Sequence, residues 1–277
     1  METYMQAVKI SEKVYWVGAI DWNLREFHGY RTGRGSTYNA YLILADKITL
    51  VDTVKAPFRD EMLQRIRSVI GDEKKIRCIV SNHAEMDHSG LLAEMIERVK
   101  PEAVYASGNG QKALEAHFGI GSVITEVQSG TEIDLGGATL RFLKTPMLHW
   151  PDSMFCCYLE EKILFSQDAF GMHFATSKLF ADENDKAVME EEMCKYYANI
   201  LLPYSPQVAK LLGSVTLDFN VIAPDHGPVW RGEMLSMPVE LYRKWSGQKP
   251  EKRAVIVYST MWHSTEKMAL AICDGLR

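Results

Sequence analysis

The sequence predicts an α/β sandwich, and three observations carry that expectation. Short apolar runs bounded by turn residues recur along the 277 residues, as buried strands require. Amphipathic stretches with helical spacing are interleaved with them. Four of the apolar runs end in a histidine or an aspartate, which puts polar chemistry at strand C-termini, where α/β folds open a crevice.

The elements follow in order. "KVYWVGAI" reads as a strand, and "YNAYLILA" and "ITLVDT" flank Asp46-Lys47 as a hairpin. In "PFRDEMLQRIRSVI" the residues Met62, Leu63, Ile66, Val69 and Ile70 recur at helical spacing. "IRCIVS" is a strand, and the helix after it lines up Leu91, Leu92, Met95, Ile96 and Val99. "AVYAS" is a strand, "GQKALEAHF" a helix, and "ATLRFLKT", "MFCCYLE" and "KILFSQD" a run of strands. From "DKAVMEEEMCKYYANI" to "SPQVAKLLGSV" the chain is helical, broken at Pro203 and Pro206, and "FNVIAPDH" is a further strand. After Glu240 an apparent helix runs into the polar segment "SGQKPEKR", which reads as a linker. The apolar strand "AVIVYST" and a turn into the helix of "MWHSTEKMALAICDGLR" close the sequence. The expected organisation is therefore residues 1–246, a linker at 247–253 and a βα unit at 254–277.

Composition bounds the function classes. A net charge of −5 and the absence of a basic tract argue against a nucleic-acid surface. No apolar run reaches the ~18 residues of a membrane span, and "METYMQAVKISEKVYWV" lacks the layout of a signal peptide, so a cytoplasmic protein is expected. Five cysteines without CxxC spacing fit a reducing compartment, with Cys156 and Cys157 as core thiols.

The chemistry concentrates in "IRCIVSNHAEMDHSGLLAEM". His83, Glu85, Asp87 and His88 fall within six residues, a density of charge that resists burial unless something positive sits among it. "FLKTPMLH", "ILFSQD" and "VIAPDH" add His149, Asp168 and His226 at strand ends. Blander readings exist for single members: Asp87 or Ser89 as a helix cap, His149 as a turn histidine, Asp225 and His226 as turn chemistry before Gly227-Pro228. They do not account for the joint placement. Three carboxylates bring −3 and two divalent ions +4, so one bridging hydroxide reaches neutrality. Asp168, alone in its segment, is the natural bridge, and each ion keeps open positions for substrate.

These residues resemble the metallo-β-lactamase superfamily, whose hydrolases carry H-x-H-x-D-H and a distant His, Asp and His. Here Glu85 replaces the second histidine, and H-x-E-x-D-H resembles the flavodiiron proteins, which reduce dioxygen or nitric oxide. A carboxylate in place of an imidazole hardens the site and favours redox-active iron over zinc. The resemblance implies a metallo-β-lactamase-like αβ/βα sandwich and two non-heme irons. One takes His83, Glu85 and His149, the other Asp87, His88 and His226, and Asp168 bridges them. It also implies that "YSTMWHSTEKMA" opens a flavodoxin-like domain, with Ser259, Thr260, Ser264 and Thr265 toward the FMN phosphate and Met261 and Trp262 along the flavin. About 25 residues of such a domain are present, against ~100–150 for a typical domain, so the expectation is a truncated unit that does not retain FMN alone. His28 and Tyr196 or Tyr197 resemble residues flanking the irons. The family's head-to-tail dimer or tetramer and a donor such as rubredoxin are the implied partners, with O2 or NO as substrate. His117, His173 and His263 are assigned no metal, although His173, five residues after Asp168, is placed to reach the pocket. Two rivals stand beside this reading: a dinuclear zinc hydrolase on the same fold, and a non-catalytic scaffold that recruits a flavoprotein.

Overall fold

A computed structural model describes residues 5–214 and 218–277. Two mixed sheets face each other. The first has seven strands in the order Val8–Lys9, Val14–Trp16, Tyr41–Ile43, Thr49–Val51, Cys78–Val80, Ala103–Ala106 and Ile124–Glu126. The second has six, in the order Glu132–Asp134, Thr139–Lys144, Met154–Tyr158, Ile163–Gln167, Val221–Pro224 and Trp230–Arg231.

Alternation along the strands builds three apolar layers. Tyr41, Ile43, Val51, Cys78 and Val80 meet Phe142, Met154, Cys156, Tyr158 and Phe165 between the sheets. The intervening Leu42, Leu50 and Ile79 turn outward to helices Arg59–Ile70 and Leu92–Val99. Phe155, Leu164 and Ile222 turn outward on the other side, against helices Lys186–Tyr196, Ser205–Ser214 and Ser236–Ser246. Successive side chains of a strand point to opposite faces. With both faces covered, these strands therefore read as near-continuous apolar runs. The layering is the expected αβ/βα sandwich.

Most expected elements form where the spacing puts them, including the hairpin of Tyr41–Ile43 with Thr49–Val51. The helix expected through Val215 is described only to Ser214, and the leader reading of residues 1–4 also lies outside the described residues. The structure corrects the strand expected at "AVIVYST". Residues 254–260 join no sheet, and Val255 and Val257 stand 87% and 89% exposed. An apolar run becomes a strand only when a neighbour completes its ladder. The helix beyond it, Ser264–Gly275, is formed as expected. No described helix is long and apolar enough to cross a membrane.

Candidate metal centre

Strand direction decides where the polar ends meet. Thr139–Lys144 and Ile163–Gln167 are both antiparallel to Met154–Tyr158, and Val221–Pro224 is parallel to Ile163–Gln167, so all three end at one edge. His149, Asp168 and His226 follow these ends. From the first sheet, Cys78–Val80 leads into a short loop and then the single helical turn Met86–Ser89. The extended backbone at Glu85 leaves His83 and Glu85 pointing one way, and the turn carries Asp87 and His88 to the other.

Seven buried or nearly buried side chains thus form two adjoining groups: His83, Glu85, His149 and Asp168, and Asp87, His88 and His226. Asp168 is split between them. Its Oδ2 lies 3.0 Å from His149 Nε2 and 3.3 Å from His83 Nε2. Its Oδ1 lies 3.3 Å from His88 Nε2 and 3.5 Å from His226 Nε2. Glu85 Oε2 stands 3.3 Å from both His83 and His149, and Asp87 Oδ2 is 3.1 Å from His226 and 3.3 Å from His88.

These contacts are close, yet the Nε2 atoms of His88, His149 and His226, both oxygens of Asp87 and Oδ2 of Asp168 make no hydrogen bond although fully buried. Buried polar atoms without partners are costly, and here they point at a common centre instead of at each other. Donors bound to one ion at ~2.0–2.2 Å stand about 3.0 Å apart at a right angle and about 3.4 Å apart at the tetrahedral angle. The observed spacings fall in that range. Imidazoles with three carboxylates form a nitrogen and oxygen donor set that suits iron, so these residues fit a pair of ions sharing Asp168. The helix-cap readings fail, because Asp87 lies inside the helical turn and Ser89 Oγ donates back to the Ala84 and Glu85 carbonyls.

Comparison with known proteins places this geometry. Residues 37–227 match a family model described as ODP family beta lactamase. The chain is 46% identical to a rubredoxin-oxygen oxidoreductase of Megalodesulfovibrio gigas, over 99% of this chain and 69% of that protein. It is 44% identical to a nitric oxide reductase of Moorella thermoacetica, over 98% and 69%. Among solved structures, the rubredoxin oxygen:oxidoreductase of Desulfovibrio gigas superposes with a TM-score of 0.94 at 44% identity, over 98% of this chain and 69% of that one. The flavodiiron protein of Giardia intestinalis gives 0.92 at 38%, over 99% and 68%.

The chain belongs to the flavodiiron family.

Around the flavodiiron ligand groups, the structure sorts the remaining candidates. His28 and Gly29, with φ of 51° and 77°, form the two-residue tip of the hairpin pairing Glu26–Phe27 with Tyr30–Arg31. Positive φ at both central positions is the tight hairpin geometry. It aims His28 inward, with Nε2 3.1 Å from Glu85 Oε1 and Nδ1 3.1 Å from His173 Nε2. Tyr196 is fully buried and its hydroxyl donates to Asp168 Oδ1 at 2.8 Å. Burial, then the Asp168 charge, raise its pKa, which keeps the phenol protonated. Tyr197, the other alternative of the pair, is turned away: its hydroxyl meets Ser205 and its ring packs on Tyr242 and Trp245. Neighbours on a helix point about 100° apart, so only one of the pair reaches the centre. His117 and His263 stay outside. Ser259, Thr260, Met261 and Trp262 precede the last helix and Ser264 and Thr265 open it; Met261 and Trp262 are largely solvent-exposed, and no side chain caps that helix.

The structure adds Asp152, Thr37, Ser36 and Asp52, which sequence reasoning did not single out, and gives Asp225 and His173 a place beside the centre. Asp152 Oδ2 lies 3.0 Å from His83 Nδ1. The Thr37 carbonyl lies 2.6 Å from His226 Nδ1, and Asp225 Oδ2 is 3.5 Å from His88 Nδ1. His173 is buried, with Nδ1 2.8 Å from Ser36 Oγ. Asp52 accepts from the Asn82 backbone and side-chain amides at 2.7 Å each, which pins the loop ahead of His83; burial raises its pKa to about 6. Asp152 sits three residues after a candidate histidine, His149, the one sequence signal that could have found it. A cavity of about 280 Å³, lined by Phe27, Pro57, Met86 and Lys55, reaches Glu85 and Asp87 from the surface.

Proposed function

We propose that this chain is the iron-bearing part of a reductase of dioxygen, nitric oxide or both, with electrons delivered through FMN from a rubredoxin-type donor. The observation that carries it is the split contact of Asp168, one oxygen to each ligand group. Its relatives' names as a nitric oxide reductase and a rubredoxin-oxygen oxidoreductase support the substrate and donor classes. In this reading His83, Glu85 and His149 hold one iron, Asp87, His88 and His226 the other, and Asp168 is shared. Residues 1–246 form the diiron domain, 247–253 the linker and 254–277 the start of the flavin domain, in a cytoplasmic head-to-tail oligomer.

When bound, a ferrous pair supplies two electrons and open coordination positions. Coupling two NO to N2O and water consumes two electrons and two protons. Reducing O2 to two waters consumes four of each, two electrons more than a ferrous pair would supply, and FMN would be the source of the remainder. The chain's own residues manage position and protons. Asp168 keeps the two ligand groups at one distance, and Tyr196 holds a proton on the hydroxyl facing Asp168 Oδ1. His28 holds Glu85 through Oε1, which leaves Oε2 facing His83 and His149. Phe27, Pro57 and Met86 line an approach that suits small apolar gases and disfavours bulk water.

The test is anaerobic loading with Fe2+, addition of a separately supplied flavodoxin domain and rubredoxin, and measurement of O2 and NO consumption. Two irons per chain with turnover of either gas is expected. A chain that takes up zinc in preference to iron and hydrolyses a thioester or lactam would refute the assignment.

A further inference from the structure

The histidines of the two ligand groups differ in what stands behind them. His83 Nδ1 meets a carboxylate, Asp152 Oδ2, at 3.0 Å, and the same oxygen accepts the Ala84 N–H at 2.6 Å. His226 Nδ1 meets a neutral backbone carbonyl at 2.6 Å. His88 Nδ1 lies 3.5 Å from Asp225 Oδ2 and makes no hydrogen bond. An ionised carboxylate accepts only, so Asp152 requires the proton on His83 Nδ1 and leaves the Nε2 lone pair facing Glu85 and Asp168.

Asp152 is also tied down. Its backbone carbonyl accepts from Ser107 Oγ at 2.7 Å, and Ser107 Oγ in turn caps the helix Gly108–Phe118 by accepting the Gly110 N–H. Asp152 follows His149 by three residues and is 3% exposed. One side chain therefore fastens the loop of His149, from the second sheet, to the loop of His83, from the first. Nothing comparable joins the loops of His88 and His226 by a hydrogen-bonded carboxylate among the described residues.

We propose that Asp152 is a positioning residue for one ion position only, that of His83, Glu85 and His149. It holds His83 as an Nε2 ligand and fixes the spacing between two of that position's loops. The two positions are thereby unequal: this one has a hydrogen-bonded carboxylate behind His83, the other a backbone carbonyl behind His226 and a carboxylate at 3.5 Å, not hydrogen-bonded, behind His88. The inference rests on the two-ion reading above but not on the identity of the metal.

The experiment uses Co2+ as the probe, titrated anaerobically into the full chain and followed by visible absorption and bound-metal analysis. Asp152→Ala is placed on two backgrounds, His226→Ala, which disables the other position, and His149→Ala, which disables this one. On His226→Ala, loss of the carboxylate should weaken the remaining Co2+ site about 10- to 100-fold. On His149→Ala it should change the remaining site by less than about threefold, because Asp152 hydrogen-bonds His83 and the Ala84 N–H and no member of the Asp87, His88 and His226 group. Asp152→Asn keeps an acceptor for Ala84 or His83 and should restore part of the loss. It is read in the same way if Asp152→Ala does not fold. Equal weakening on both backgrounds, or none on either, overturns the proposal. A wild-type chain that takes up fewer than two Co2+ overturns the two-ion reading and this inference together.

Discussion

Glu73 offers a perturbation that should cost stability without touching the metal centre. It sits in the turn before strand Cys78–Val80, 4% exposed. Its two oxygens accept from Arg67 Nε and Nη2 at 2.7 Å each, and Arg98 Nη1 adds a contact at 3.3 Å. Arg67 lies on helix Arg59–Ile70 and Arg98 on helix Leu92–Val99, so this carboxylate joins two helices that cover the first sheet. The Arg67 hydrogen bonds, outweighing burial, hold its pKa at about 2 against an ordinary 4.5. At ~1.4 kcal/mol per pH unit that difference corresponds to roughly 3 kcal/mol. Arg67 and Arg98 are themselves 40% and 33% exposed, and solvent screening brings the contribution to about 2 kcal/mol. Because the folded pKa is depressed, the stabilisation is complete above about pH 4.5 and fades as pH falls toward 2. Glu73→Gln should therefore lower the melting temperature by about 4 °C at pH 7, with the gap narrowing below pH 4.5 and iron content unchanged. Thermal unfolding by circular dichroism across pH 3–7 decides it. An unchanged melting temperature at pH 7, or a gap undiminished at pH 3, would refute the reasoning.

Three further outcomes follow from the same contacts. Asp168→Asn, which removes the charge shared by both ligand groups, should cut bound iron to one per chain or fewer by metal analysis while far-UV circular dichroism is retained. Tyr196→Phe should keep two irons but lower gas-reduction turnover about tenfold, since a hydrogen bond to a charged group is worth ~1.5–3 kcal/mol; Tyr197→Phe, whose hydroxyl meets Ser205 instead, should leave turnover within about twofold. Gly227→Ala should destabilise by about 2 kcal/mol or more in denaturant unfolding and weaken iron binding. Its φ is +77° and an added Cβ would stand 2.8 Å from the Met172 carbonyl, which displaces the adjoining His226.

Periodicity and punctuation reached most of this fold because the strands are buried on both faces and the helices on one. Residues such as Ile66 or Met95 declare their helix by spacing alone. The dense run from His83 to His88 was legible for another reason: unpaired charge at that density has few uses in a core. Where the sequence was silent, the element was too short or the choice was directional. The hairpin of Glu26–Phe27 and Tyr30–Arg31 has two residues per strand, which leaves no alternation to count, yet it delivers His28 to Glu85. Tyr196 and Tyr197 are adjacent and both buried, and only the path of the helix separates them. The run "AVIVYST" has a strand's composition, but strand formation depends on a partner ladder that composition does not report.

The deeper link between fold and site is that the candidate ligands come from both sheets. Each ligand group joins the His83–His88 segment of the first sheet to residues at the edge of the second: His149 in one, His226 in the other, with Asp168 between them. The sheets are held face to face by an apolar layer, a non-directional force that sets their spacing but not the angular placement of loops at the rim. Directional contacts supply that placement. The Asp152 brace acts on the His149 side. On the other side, Asn39 donates to the carbonyls of Pro224 and Gly227 at 2.7 and 2.9 Å, fixing the His226 loop to the first half of the chain. The geometry of the candidate centre is thus set by polar contacts fastened onto an apolar sandwich. Mutations in the apolar layer should act mainly on stability, and mutations in these rim contacts mainly on how the ions are held.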